Sequence, residues 1–100
     1  MRLLFLCAAA LAAAPAMAQD MIARQGNNSV RLANAPCTSE LVLARLRPEL
    51  RPRFKAALAE VEGQTFQACW HAAGNVVHLL YEDGDQGIVP LADLKPDLKA

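Results

Sequence analysis

The chain has no surplus of either charge: ten Lys and Arg stand against ten Asp and Glu over 100 residues, for a formal net charge of zero. That balance argues against a nucleic-acid binder or a polybasic membrane binder, each of which carries a clear excess of Lys and Arg. Aromatic residues are scarce, with one Trp, one Tyr and three Phe. No Cys-x-x-Cys, phosphate-cradling glycine loop, nucleophile elbow or dinucleotide fingerprint occurs, so the signatures of the common redox, nucleotide and hydrolase sites are missing. No internal repeat is present, and past residue 18 no apolar run approaches the roughly 20 residues needed to cross a bilayer. A chain of this length makes one small domain.

What is abundant is concentrated at one end. Met1-Arg2 supplies a positive start, Leu3 to Ala14 is an uncharged apolar run, and Ala16-Met17-Ala18 places small residues where a signal peptidase reads them. These features predict a secretory signal peptide over residues 1–18, cut between Ala18 and Gln19. Its removal lowers the apolar share from 54% to about 46%, ordinary for a soluble domain. The expected product is periplasmic or secreted, with no membrane span after cleavage.

Cys7 leaves with the signal, so the processed chain keeps Cys37 and Cys69. Two cysteines in a small exported domain allow one intramolecular pairing, and a Cys37–Cys69 disulfide is the expectation. Closing a loop of about 33 residues is worth about 3.7 kcal/mol in the chain-entropy model, a large share of a small domain's stability.

Residues 19–28 are polar, lack an apolar period and read as a flexible lead; residues 29–96 read as a single small domain and 97–100 as a frayed end. Ser29 to Ala33 alternates as a short strand. Thr38 or Ser39 can cap a first helix over about 39–47, which Pro48 stops. Pro52 suits the first turn of a second helix, along which Leu50, Phe54, Leu58 and Val61 recur at helical spacing, with Gly63 as C-terminal cap. From Thr65 the period becomes 2, predicting strands at 65–71, 76–81 and 87–89, the last two joined by a type I′ turn at Asp83-Gly84. The expected fold class is therefore α+β: a short N-terminal strand, two short helices, then a three-stranded antiparallel meander, with one disulfide.

Strand alternation places Phe66, Ala68, Trp70, Val77, Leu79, Tyr81 and Ile88 on one face. Cys69, His71, His78, Leu80 and Val89 take the other. The first face is the richer in large apolar groups and is the expected floor for the helical stripe. Cys69 then points away from the helices that Cys37 precedes, so the bond passes around a sheet edge or the sheet is curved with both faces partly covered.

Candidate sites are few. Arg45, Arg47, Arg51, Arg53 and Lys55 form a basic cluster that suits an anionic partner surface, although such runs are more often the solvated face of helices. Glu82, Asp83 and Asp85 gather three carboxylates in a turn, without the regular oxygen spacing of a calcium loop. Trp70 and Tyr81 offer an aromatic patch, but with so few aromatics they are expected in the core. His71 and His78 share a face with Cys69, and depending on hairpin register His78 lies opposite either Cys69 or His71; with the thiol claimed by a disulfide, no metal or cofactor is assigned.

The segments Phe66-Gln67-Ala68-Cys69-Trp70, Gly74-Asn75-Val76-Val77 and Tyr81 to Pro90, together with Val30-Arg31-Leu32 and Pro36-Cys37, resemble small exported proteobacterial proteins, some phage-associated, of unassigned function. That resemblance implies a periplasmic domain stapled by its cysteine pair and supplies no catalytic residue. Residues 66–96 are also similar to the last part of SH3-like or Tudor-like small barrels, a shared hairpin geometry. No convergent nucleophile, base and oxyanion donor can be named, so the expectation is a non-enzymatic module that binds a protein or envelope partner and not nucleic acid. The alternative is an inhibitor or immunity-type protein directed at an exported hydrolase.

Overall fold

The computed structural model describes residues 19–98; the expected signal peptide and its cleavage at Ala18 lie outside or at the border of the described residues. The strands are β1 (Met21–Gln25), β2 (Asn28–Pro36), β3 (Lys55–Val61), β4 (Gln64–Ala73), β5 (Val76–Tyr81), β6 (Gln86–Pro90) and β7 (Lys95–Pro96). Helix α1 (Glu40–Ala44) and a 3-10 turn (Pro48–Arg53) separate β2 from β3, and a second 3-10 turn (Leu91–Asp93) separates β6 from β7. All seven strands form one antiparallel sheet in the order β6-β5-β4-β3-β2-β1-β7. The α+β expectation with a three-stranded meander is thus overturned. The protein is a seven-stranded curled sheet with short helical segments.

The curl follows from chain length. In a flat sheet β6 and β7 would stand six strand spacings apart, about 29 Å. The link from Pro90 to Lys95 can reach at most about 18 Å, so the sheet bends until its two edges approach. A register shift in the β2–β3 ladder between Leu32 and Pro36 helps the bend. Trp70 on β4 donates its indole N–H to Ala33 O at 3.1 Å, satisfying a carbonyl at that irregularity.

Curling gives the sheet a concave and a convex face, each with its own core. Leu32, Ala57, Ala68, Val77 and Leu79 fill the concave side, with Met21, Val30, Trp70, Tyr81, Val89 and Leu94 packed around them. On the convex side Cys37, Val42, Phe54 and Cys69 are buried, with Leu43, Leu46, Leu50 and Leu80 against them. The Cys37–Cys69 disulfide forms as expected, with Cα atoms 5.5 Å apart. It joins the segment leading into α1 to the back of β4, so curvature and not an edge crossing resolves its placement. Ser39 caps α1, its hydroxyl accepting from Val42 N–H at 3.3 Å.

The expected second helix is absent. Lys55–Val61 forms β3, because its alternate residues Ala57 and Ala59 face the concave side, where curvature leaves room only for small groups. Helix propensity in an alanine-rich segment yields here to tertiary context. Leu50 and Phe54 join the convex core, while Val61 is exposed; their helical spacing is coincidental. Ala59 provides a test, since it would face solvent opposite the Leu50/Phe54/Leu58/Val61 stripe of a helix but is buried in the sheet. Ala59→Leu is expected to destabilise the domain by about 1–3 kcal/mol through overpacking, measured by urea unfolding.

The turns correct two further expectations. Glu62 and Gly63, at φ 51° and 81°, form the two-residue type I′ connection between Val61 and Gln64, so Gly63 ends a strand and not a helix. At the other loop, Gly84 N–H donates to Tyr81 O and Tyr81 N–H to Asp85 O, with only Gly84 at positive φ. That is a type I turn closed by a left-handed glycine, one residue longer than the I′ turn expected at Asp83-Gly84. The extra residue reverses parity along β6: Val89 pairs with Val77 on the concave side, and Ile88 is turned outward and 63% exposed.

Both ends are also better tied than expected. The lead at 19–28 contains β1, whose Met21 and Ile22 pair with Pro96 and Lys95. Asp97 is buried, donates its N–H to Asp20 O at 2.8 Å and forms an ion pair with Arg31, so the chain is ordered to that point instead of fraying.

Candidate functional site

The curled sheet does not close along its full length. β1 pairs with β7 only through Met21 and Ile22, so Ala23 to Gln25 and the outer side of β6 are left bordering a gap. The phase of the β5–β6 ladder is set by Tyr81 N–H bonding Asp85 O and Leu91 N–H bonding Asn75 O. In an antiparallel pair the bonds alternate, so Gly87 and Val89 bond to β5 while Gln86 and Ile88 turn their N–H and C=O groups away from it. Pro90 has no N–H to present there.

Behind this seam lies a cleft of about 550 Å³. Val30, Val61 and Val89 supply apolar walls, and Arg24, Asp93 and Lys95 place two positive groups and one negative group around it. Sequence reasoning missed this site because its residues come from five strands and a turn that only sheet topology brings together. The sole local signal is the polar Gln25-Gly26-Asn27-Asn28 stretch, which reads as a loose lead but is the β1–β2 turn region at the rim.

The expected basic cluster is dispersed by the fold. Arg45 lies over the β5–β6 turn, donating to Tyr81 O at 3.2 Å with its guanidinium 3.8 Å from the position a Cβ would take on Gly84. Arg47 pairs with Glu49 at 3.7 Å on the surface, and Arg51 donates to Leu46 O at 3.2 Å. Arg53 is exposed at the end of the 3-10 turn. Lys55 belongs elsewhere: it donates to Asn34 Oδ1 at 2.7 Å and sits 5.5 Å from the Trp70 ring centre.

The acidic turn is anchored. Ser39 donates its hydroxyl to Glu82 Oε2 at 2.7 Å, and Asp83 Oδ1 accepts from Asp85 N–H at 2.8 Å. Asp83 and Asp85 remain exposed at the tip. Trp70 and Tyr81 both pack on the concave core and so form no external platform.

No protein-family model, curated protein or solved structure matches the chain. Among the described residues no helix is long and apolar enough to cross a membrane.

Burial raises the Tyr81 pKa above its ordinary value of 10.0, and the nearby Asp83 charge pushes it the same way. A raised folded-state pKa means that the tyrosine's contribution is intact below pH 10.0 and is lost as pH rises through the folded value. Wild-type protein is accordingly expected to lose stability more steeply than Tyr81→Phe above pH 10.0. Thermal melts of both proteins across the alkaline range would read this out; parallel curves would refute it.

Proposed function

We propose that the chain is a non-catalytic binding module of the periplasm or secreted space, which takes an extended segment of a partner protein along the open seam. The observation that carries this reading is the free edge of β6, with Gln86 and Ile88 main-chain groups directed away from β5 beside an apolar-walled cleft. Strand addition uses such an edge for affinity and adjoining pockets for side-chain selectivity. The disulfide suits an oxidising compartment.

Affinity capture from periplasmic extract, using the tagged processed protein, provides the test. Ile88→Pro removes an N–H that the β5–β6 ladder does not use, so it should abolish capture while leaving the fold intact. Arg53→Ala should capture normally. Capture that survives Ile88→Pro, or repeated failure to recover any partner, would exclude the seam as the docking site.

A second reading has one observation in its favour. The anchored β5–β6 turn presents Asp83 and Asp85 on a preorganised tip, as an inhibitor of an exported hydrolase would require. Reversing Asp83 and Asp85 to Lys separates the two: capture is lost if the turn docks and retained if the seam does. Glu82 is left unchanged in this experiment because it accepts the Ser39 hydroxyl hydrogen bond.

A further inference from the structure

We propose that His71 and His78 act together as a two-nitrogen chelate for a divalent transition-metal ion, copper(II) in preference to the others, on the convex face of the sheet. The β4–β5 register decides which residues can cooperate: His71 is paired directly with His78, and Cys69 with Leu80. Cys69 is also consumed by its disulfide. The donor set is therefore two imidazoles with no thiolate.

The pair has the dimensions of a chelate. The ring centres are 5.4 Å apart, edge to face at 61°. A metal bound about 2.1 Å from an imidazole nitrogen lies about 3.2 Å from that ring's centre, so rings at adjacent coordination positions stand about 4.5–5.2 Å apart. Rotation about χ2, a broad and soft torsion for histidine, aims one nitrogen of each ring at a common point. The separation already present is within a few tenths of an ångström of that range.

The surroundings restrict the rings. Phe54 packs on His71 with centres 4.6 Å apart and planes tilted by 52°. On the other side, His78 is paired across β5–β6 with Ile88. His71 thus stands between an aromatic ring and the second imidazole, both imidazoles are half-buried, and the β4–β5 ladder holds the backbones in register. This arrangement lowers the conformational entropy lost on chelation.

The donor type selects the metal class. Imidazole suits copper, nickel and zinc, and affinity for such nitrogen sites peaks at copper(II). No third His, Cys, Asp or Glu joins the pair to make a larger cluster among the described residues. The remaining coordination positions are open to water or to a donor brought by a partner.

The test uses processed, tag-free protein with its disulfide intact, titrated with copper(II) and followed by calorimetry and electron paramagnetic resonance. The expected result is one ion per chain with hyperfine coupling to two nitrogens. His71→Gln and His78→Gln should each weaken binding about tenfold or more while the metal-free variants stay folded, with the far-ultraviolet circular dichroism of the wild type. The proposal is overturned if either single variant binds copper as tightly as the wild type, if the double variant does so through the chain's amino terminus, or if the spectrum shows fewer than two coupled nitrogens.

Discussion

Replacing Cys37 and Cys69 together by serine is expected to lower stability by about 3–4 kcal/mol, which in a domain of this size corresponds to a fall in Tm of roughly 15–25 °C. The bond links positions 32 residues apart and so removes much of the freedom of the unfolded chain. It also stands at the centre of the smaller core. Val42 and Phe54 are buried in one apolar cluster with the two sulfurs, and α1 has five residues, far too few to persist by its own hydrogen bonds. Without the bond α1 and the following 3-10 turn should detach before the sheet unfolds. Urea unfolding of the double variant, and of wild type with and without reductant, measures this; equal midpoints would sink it.

Leu79→Ala is expected to destabilise by about 3 kcal/mol, within the range of about 2–5 found for buried leucine truncations. Leu79 is 1% exposed in the concave core. Its side chain also lies 3.5 Å from where a Cβ on Gly87 would sit, so the neighbouring strand passes close over it and has no side chain with which to fill a void. Leu80→Ala, one residue along and on the convex side, should cost clearly less because Leu80 is only half-buried there. A reversed order in chemical denaturation would contradict the assignment of the two faces.

Local signals carried part of this fold. The cysteine pair, the Ser39 cap and the alternation from Thr65 to Tyr81 are each legible in neighbouring residues, and each is present in the structure. β3 was illegible because Lys-Ala-Ala-Leu-Ala-Glu-Val has the composition of a helix, and the need for small groups at Ala57 and Ala59 arises only once the sheet curls. β1 was hidden by its polar surroundings, since its pairing with β2 and β7 depends on residues that a local window does not contain. At Asp83-Gly84 the turn residues are legible but the loop length is not, and one extra residue places Ile88 at the surface instead of the core. The histidine pair illustrates the same limit: two residues were visible in the sequence, but which group stood opposite His78 awaited the register.

The pairing of β1 with β7 also has a temporal meaning. The first strand of the described domain is completed by the last, and Asp20 and Asp97 are joined directly through the backbone. A chain delivered amino terminus first must hold Met21 and Ile22 without one neighbour until Lys95 and Pro96 arrive. The final sheet contact is therefore the most distant in sequence, a feature that delays folding. Folding of this domain should therefore finish at its carboxyl end.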